Sequence, residues 1–235
     1  LPEKIAIEKG IQIVICIDEF QQISDFEDSK TFQKKLRSVW QLQQHVSYCL
    51  FGSKKHLMNE LFEKKNLPFY KFGDAIYLAK IETKYWIEYI CKRFENTGKH
   101  ISPELAEEIC RLVDNHSSYV QQLSWLLWIR TINTATTEQL SYALEDLLDQ
   151  NNILFQSETE NLSAYQMNFL KAIVDGIHTK FSSKEVISKY NLGTSANIVR
   201  LKNALLQKEL IETNGKEIVL ADPVFGVWFK KEMLY

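Results

Sequence analysis

The protein has 235 residues, which corresponds to one or two domains at about 150 residues per domain. Apolar residues make up 45% and charged residues 25%, an ordinary globular balance that argues against disorder. The formal net charge is −2, so the chain as a whole has no strong field that attracts nucleic acid or an anionic membrane. Only 8 Gly and 4 Pro occur, too few for the tight turns of an all-β sandwich, so a mostly helical protein is predicted.

Membrane proteins and disulfide-stabilised secreted proteins are also excluded as classes. The longest apolar runs are far shorter than the roughly 20 residues that cross a bilayer, and the first residues lack the hydrophobic segment of a signal peptide. The four cysteines are widely separated and form no CxxC pair (Cys16, Cys49, Cys91 and Cys110). A structural zinc site is therefore not expected, and a reducing compartment, the cytoplasm, is favoured.

Strand and helix patterns alternate over residues 1–81. The run at 11–17 is short, β-branched and almost wholly apolar, which predicts a strand covered on both faces. A charged helix and a second apolar run at 46–51 follow, and a further helix is predicted at 54–63. Residues 75–78 complete the pattern as a third strand, so this part is predicted to be an α/β core with a parallel sheet.

From residue 82 to 156 the apolar residues recur at helical spacing, which predicts an all-α subdomain of about four helices. Ser102 followed by Pro103 is a typical helix start, with Ser as the N-cap and Pro as the first helical residue. Residues 119–128 predict one strongly apolar helix.

The polar segment 156–162 is the best candidate for a linker, and a different module is predicted over 157–235. Three helices are expected there, over residues 164–176, 183–190 and 195–210. A short turn containing Gly193 separates the second helix from the third, as in a helix-turn-helix. Asn214-Gly215 between two β-prone runs is a strong hairpin signal. Three helices followed by a hairpin describe a winged helix.

The acidic pair Asp18-Glu19 directly follows the first apolar run. Carboxylates at the carboxyl end of a buried parallel strand lie where α/β sheets bind ligands. There the first acid can hold Mg²⁺ and the second can face a nucleophilic water, which is the Walker B pattern of P-loop NTPases. A solvated acidic pair that caps a helix is an equal alternative from this pattern alone.

The residues around this pair resemble the bacterial and archaeal-type ATPases of the AAA-plus/STAND group. The resemblance is carried by residues 15–23 (ICIDEFQQI), 50–53 (LFGS), 119–123 (YVQQL) and 221–225 (ADPVF) with Trp228. These matches fall in the same order along almost the whole chain. They imply a partial P-loop NTPase sheet, a helical lid and a C-terminal winged helix.

The resemblance implies roles for particular residues. Asp18 would support Mg²⁺, and Glu19 would orient or deprotonate the water that attacks ATP. Ser53 matches the sensor 1 position, where a polar side chain reaches the γ-phosphate, although a serine before a helix is as often an N-cap. Arg37 and Arg93 could each serve as an arginine finger, and neither is assigned that role.

Two departures from the family pattern matter. No glycine belongs to a GxxxxGK[ST] motif, whose backbone N–H groups and lysine cradle the phosphates. The expected explanation is a truncated chain, so that these 235 residues alone neither bind nor hydrolyse ATP. The lid of STAND members often carries Gly-x-Pro, and here residues 115–118 are Asn-His-Ser-Ser. His116 could take over the nucleotide contact, or it could be a structural histidine near a helix start.

The predicted winged helix differs in charge from the rest of the chain. Residues 161–235 carry 10 Lys and Arg against 7 Asp and Glu, a net charge of +3. Arg200, Asn203 and Gln207 share the polar face of the third helix, and such side chains can contact bases or phosphates. The alternatives to an ATPase are therefore a non-catalytic, DNA-binding winged-helix regulator and a protein-interaction module.

The tail after the hairpin is strongly apolar. Asp222-Pro223 stops the last strand, because proline cannot donate to a ladder. Burial of the tail is favoured at about 25 cal/mol per Å², so Phe225 and Trp228 are expected to pack on a neighbouring domain. The core of the module is predicted to comprise Phe169, Leu170, Ile173, Leu201, Leu205 and Val219.

Overall fold

The computed structural model describes residues 1–233, with the side chains of all of them except Lys55 and His56. Leu234 and Tyr235, the end of the predicted winged-helix module, lie outside the described residues. The chain divides into two units, one comprising Leu1–Leu78 and the other beginning at Ala79. Most described residues are helical, as predicted, and the strands form two small sheets.

The first unit is an α/β unit. Its elements are helix α1 (Pro2–Lys9), strand β1 (Ile13–Ile17), a 3₁₀ helix (Phe20–Asp25), helix α2 (Ser29–Trp40), strand β2 (Val46–Leu50) and helix α3 (Lys55–Glu63). β1 and β2 pair in parallel, from Ile13 opposite Val46 to Ile17 opposite Leu50. Because the register has no offset, the carboxyl ends of the two strands meet at the same edge of the sheet.

One face of this sheet is covered and the other is open among the described residues, which corrects the prediction of a strand covered on both faces. Ile17 and Leu50 pack on a small core that contains Phe20 and Phe69. On the opposite face Val14 is 66% exposed. Successive side chains of a strand point to opposite faces, so a helical layer on one side leaves every second apolar residue uncovered.

The predicted third strand at 75–78 is wrong, because this segment is irregular. Ile76 and Leu78 are 85% and 94% exposed. A strand exists only as part of a hydrogen-bonded pair, and no described strand pairs with these residues. The Tyr77 hydroxyl instead donates to Asn59 Oδ1 and Glu63 Oε1 on α3, both at 3.0 Å.

Arg37 has a structural environment within the first unit. Its guanidinium donates to the carbonyl oxygens of Pro68 and Tyr70, the latter at 3.0 Å, and lies 5.5 Å from the centre of the Phe72 ring. The side chain thus fastens the segment after α3 to α2. These contacts explain the residue without a catalytic role.

The second unit contains eight helices and one hairpin among its described residues. They are α4 (Thr83–Glu95), α5 (Pro103–Leu112), α6 (Ser117–Arg130), α7 (Thr137–Glu160), α8 (Ala164–Val174), α9 (Lys184–Lys189), α10 (Ser195–Gln207), β3 (Ile211–Asn214), β4 (Glu217–Leu220) and α11 (Pro223–Met233). The Ser102 hydroxyl accepts a hydrogen bond from the Leu105 N–H at 3.2 Å, so the N-cap of α5 is as predicted.

Helix α7 runs through most of the predicted linker at 156–162. Phe155 and Thr159, near its end, are 1% and 7% exposed. The polar residues between them lie on the outer face of the helix, which explains why the segment resembles a linker in sequence. One hydrophobic core extends from Trp86 in α4 to Phe229 in α11. The predicted boundary between residues 156 and 157 therefore falls inside a helix.

The hairpin turn consists of Gly215 and Lys216, with Asn214 opposite Glu217. Gly215 has φ of 62°, whereas Lys216 has no positive φ, which is the pattern of a type II′ turn. The turn lies one residue later than Asn214-Gly215 predicts, which moves each cross-strand partner by two positions and leaves the faces of the strands unchanged. Ile218 is 6% exposed and Val219 only half-buried, so Val219 was wrongly assigned to the core. The other five predicted core residues are buried.

The apolar tail forms α11 and packs on α7. Phe225 and Trp228 are each 1% exposed, as expected. Their ring centres lie 5.5 and 5.6 Å from that of Phe155, and the Trp228 indole N–H donates to Asn152 Oδ1 at 2.8 Å. Asp222 Oδ1 caps the helix by accepting from two backbone N–H groups, at 2.7 and 3.0 Å.

Among residues 1–233, no helix has both the length and the apolar composition that a membrane span requires.

Candidate active site

The carboxyl edge of β1 and β2 brings together Asp18, Glu19 and Ser53. The ladder continues beyond both strands: the Phe51 N–H donates to Ile17 O at 3.1 Å, and the Phe20 N–H donates to Phe51 O at 3.0 Å. These two bonds fix the acidic pair beside the segment that contains Ser53. The strand-end argument from sequence covered only the acidic pair, and Ser53 was assigned by the family resemblance.

Glu19 has a backbone conformation that is unusual for a side chain of its type. Its φ and ψ are 48° and 41°, in the left-handed region. This conformation costs a non-glycine residue roughly 1–2 kcal/mol, and such strain clusters at functional sites. The Asp18 side chain stabilises the turn, because its Oδ1 accepts from the Glu19 N–H at 2.8 Å.

The Glu19 carboxylate is held by donors from two directions. The Ser53 hydroxyl donates to Oε1 at 3.0 Å and to Oε2 at 3.3 Å, and the Gln21 side-chain amide donates to Oε2. The hydrogen bond from Ser53 is the main cause that lowers the pKa of Glu19; the bond from Gln21 and the charge of Lys54 act in the same direction. The carboxyl group is therefore ionised at neutral pH.

The N-cap alternative for Ser53 has no support in the geometry. Helix α3 has Lys54 as its N-cap and shows no side-chain cap hydrogen bond. The Ser53 hydroxyl donates to Glu19 instead. Whether Ser53 also serves as sensor 1, by reaching the γ-phosphate, stays a prediction.

His116 lies in the second unit and precedes α6 as its N-cap residue. Its ring centre is 4.8 Å from that of Tyr119, and its Nδ1 is buried without a hydrogen-bond partner. The Tyr119 hydroxyl donates to Asp222 Oδ2 at 2.5 Å. His116 is thus adjacent to a residue that contacts the cap of α11.

Gln21 and Gly52 are the residues of this site that sequence reasoning missed. Gln21 is 2% exposed although its side chain is polar, and its amide occupies the space that a Cβ at Gly52 would take. Both lie within the motifs ICIDEFQQI and LFGS. A glutamine two positions after Glu19 is a candidate site residue by its position, but the sequence does not show that its amide turns back towards the Glu19 carboxylate.

Comparisons with known proteins agree with this architecture. Residues 153–231 match the family model described as a probable winged helix domain. No curated protein matches the chain. The structure is similar to the Walker-type ATPase PABY2304 of Pyrococcus abyssi, with a TM-score of 0.73 and 17% identity over 97% of this chain. The chain spans 65% of the length of that protein.

Weaker similarities extend to two further solved structures. The RuvB Holliday junction branch migration motor of Thermotoga maritima has a TM-score of 0.47 and 14% identity, covering 100% of this chain and 74% of that one. The ORC1 protein of Aeropyrum pernix, solved in complex with DNA, has a TM-score of 0.45 and 10% identity, covering 96% and 66%. The assignment of the fold therefore rests on the Pyrococcus abyssi protein.

The fold of this chain is similar to that of part of a Walker-type ATPase, and residues 153–231 match a winged helix model. The resemblance to P-loop ATPases, predicted from the motifs, is confirmed at the level of the fold.

Proposed function

We propose that this chain is part of a Mg²⁺-dependent ATPase of the AAA-plus/STAND type, active in the reducing cytoplasm. The observation that supports this function most directly is the Ser53–Glu19 contact at the carboxyl edge of two parallel strands. The chain supplies the Walker B and sensor 1 residues in this proposal. The lid would be residues 82–156 and the winged helix residues 157–235.

Asp18 is the proposed ligand of Mg²⁺, directly or through water. It is exposed, and its carboxylate offers the oxygen ligands that this hard cation prefers. Among the described residues no group of three or more His, Cys, Asp or Glu could hold a metal ion. Mg²⁺ commonly uses only one or two carboxylates together with substrate phosphates and water, so this sparse set fits the ion. Bound Mg²⁺ would neutralise charge that develops on the phosphates.

Glu19 is the proposed group that acts on the attacking water. The lowered pKa keeps the Glu19 carboxylate ionised, so it could orient the attacking water or accept its proton. Ser53 would contact the γ-phosphate, and His116, with its unpartnered Nδ1, would contact the nucleotide.

The phosphate cradle is the part that this chain does not supply, because the printed sequence contains no GxxxxGK[ST]. The proposal therefore places the cradle in a segment of a longer parent protein. We expect no measurable ATP binding by these 235 residues alone. Isothermal titration calorimetry tests this expectation, and micromolar binding by the chain would contradict it.

The ATPase assignment is tested in the parent protein by Glu19→Gln. The amide has the shape of the carboxylate, so nucleotide binding should persist while turnover falls by about 10²–10⁴-fold. Asp18→Asn should instead weaken Mg²⁺-dependent binding. Glu27→Gln, an exposed acid in the same unit, is the control and should leave turnover unchanged. Hydrolysis by Glu19→Gln at the wild-type rate would disprove the Walker B assignment.

A second function, DNA binding by the winged helix, is favoured by the outer face of α10. Arg200, Asn203 and Gln207 are exposed there, and Val199 on the same face is 62% exposed. Arginine and amide side chains read purine edges, and an exposed methyl group can contact thymine. Coupling of this module to nucleotide state would follow from the packing of α11 on α7.

Electrophoretic mobility shifts with duplex DNA at several salt concentrations test this second function. Arg200→Ala should weaken binding to a preferred site by about 1–3 kcal/mol. Glu209→Ala, an exposed position just after α10, is the control and should not weaken it. Absence of binding at low salt would favour the remaining alternative, a protein-interaction module.

A further inference from the structure

Gln21 combines three features that require an explanation. It is 2% exposed, its Nε2 donates to Glu19 Oε2, and its Oε1 is buried with no partner among the described groups. Buried polar atoms are nearly always hydrogen-bonded, and an exception needs a reason. The side-chain amide is oriented so that Nε2 donates to Glu19, and this orientation leaves Oε1 without a partner among the described groups.

Gly52 makes room for this amide. A Cβ at position 52 would lie 1.8 Å from Gln21 Oε1 and 2.9 Å from Gln21 Cδ, and the next nearest atom is Met58 Sδ at 3.3 Å. Gly52 is not among the residues with positive φ, so its backbone does not demand glycine. The requirement for glycine at this position comes from the Gln21 side chain.

Gln21 and Ser53 approach Glu19 from different elements. Gln21 belongs to the 3₁₀ helix that follows β1, whereas Ser53 follows β2. The Glu19 carboxylate therefore has donors on both sides, and its left-handed backbone places it between them. Removing either donor frees the side chain to rotate away from the other.

We propose that Gln21 is a positioning residue that holds the Glu19 carboxylate against Ser53, and that Gly52 is glycine to admit the Gln21 amide. The contact itself is a property of this chain. Its consequence for hydrolysis rests on the function proposed above. A misplaced water-orienting group costs catalysis far more than it costs substrate binding, because the water is required only in the reaction step.

Gln33 offers a matched control for a purely structural role. It is also 2% exposed and also has a buried, unpartnered Oε1, but it lies on α2 and makes no hydrogen bond to Glu19. Truncating Gln33 should disturb packing in the same unit as much as truncating Gln21. Only Gln21 should affect the position of Glu19.

The first test measures the position of Glu19 in this chain, without nucleotide. The Ser53 hydroxyl donates to the Glu19 carboxylate, so the NMR signal of the Ser53 backbone amide proton reports on this contact. At one fixed pH, Gln21→Ala and Gly52→Ala should both shift this signal in the direction that Glu19→Ala shifts it. Gln33→Ala should leave it unchanged. If Gln21→Ala does not fold, Gln21→Met replaces it, since it keeps the volume and removes the donor.

A double-mutant cycle sharpens this test. With Gln21 present, Gly52→Ala displaces the amide and shifts the Ser53 signal. In a Gln21→Ala background the added methyl group has no amide to displace, so Gly52→Ala should add only the shift that a changed preceding residue itself causes. Equal effects of Gly52→Ala in both backgrounds would overturn the proposal, as would an unchanged Ser53 signal in both Gln21→Ala and Gln21→Met.

The second test measures ATP hydrolysis by the parent protein. Gln21→Ala and Gly52→Ala should lower kcat by about 10- to 100-fold with KM for ATP nearly constant, while Gln33→Ala leaves both values near wild type. A shifted Ser53 signal with an unchanged kcat would support the positioning of Glu19 and contradict its proposed role in hydrolysis. The two proposals can therefore fail separately.

Discussion

The two units of this protein differ in how much core supports their polar residues. In the first unit, four buried apolar residues form the central cluster, and one face of the two-stranded sheet is open. In the second, a single core extends through α4 to α11. The proposed catalytic acids belong to the sparsely packed unit, where their positions depend on individual hydrogen bonds such as that from Ser53 to Glu19.

This difference shows two ways of fixing a polar group. Near the strand ends, a left-handed backbone at Glu19 and two side-chain donors define the position of one carboxylate. In the second unit an extensive apolar core holds the helices, and polar contacts such as that of Tyr119 with Asp222 add to it. Substitutions should therefore act locally in the first unit and cooperatively in the second.

The largest expected effect is that of Trp228→Ala, which should lower the free energy of unfolding of the second unit by about 3–5 kcal/mol. The Trp228 indole is buried against Phe155 and donates a hydrogen bond to Asn152. The substitution removes both contacts. Urea denaturation followed by circular dichroism measures the change. Trp125→Ala, at a site that is 56% exposed, should change stability by no more than about 0.5 kcal/mol.

In the first unit, Arg37→Met should lower local stability by about 1–3 kcal/mol, because two carbonyl oxygens lose a charged donor. The effect should appear as faster hydrogen exchange of the β1 and β2 amides, with exchange in α5 to α7 unchanged. Lys35→Met, an exposed position on the same helix, is the control. Equal acceleration in both units would show that the first unit does not open independently.

A smaller effect, about 1 kcal/mol, is expected for Tyr119→Phe, which removes the hydrogen bond to Asp222 and keeps the ring. Asp222 also caps α11, so hydrogen exchange should rise first at the start of that helix. Tyr142→Phe alters a hydroxyl that is 3.4 Å from its partner on an exposed residue, and its effect should be negligible. If the two substitutions had equal effects, the Tyr119 hydroxyl would contribute no more to stability than the hydroxyl of a surface tyrosine.

The smallest expected effect is a pH-dependent change in stability caused by Glu158→Gln. Burial, and then the negative charge of Asp222, raises the pKa of Glu158 above its ordinary value of 4.5. The folded state therefore binds this proton more tightly than the unfolded state, and its contribution to stability improves as pH falls through the raised pKa towards 4.5. Glu158→Gln should be more stable than wild type at pH 7, by at most about 1 kcal/mol because the group is partly exposed.

The advantage of Glu158→Gln over wild type should disappear below about pH 4.5, where the unfolded-state carboxyl is also protonated. Thermal unfolding at a series of pH values measures this trend. Glu160→Gln, an exposed neighbour on α7, is the control. A stability advantage of Glu158→Gln that increases as the pH is lowered would contradict this explanation.

Local patterns in the sequence determined much of the architecture. A short β-branched run that ends in two acids predicts a strand with carboxylates at its end, because both features are properties of neighbouring residues. Helix starts were predictable for the same reason, as at Ser102, whose hydroxyl caps the third residue after it. The hairpin was also predicted, although its turn lies one residue later.

The tertiary structure alone decided features that depend on residues distant in sequence. Whether residues 75–78 form a strand depends on a partner edge, which a local run of apolar residues does not reveal. The continuation of α7 through a polar segment depends on burial of Phe155 and Thr159 by other helices. The position of Glu19 depends on a hydrogen bond from Ser53, 34 residues away. Local sequence does not reveal such a contact, because it forms only when the fold brings the two residues together.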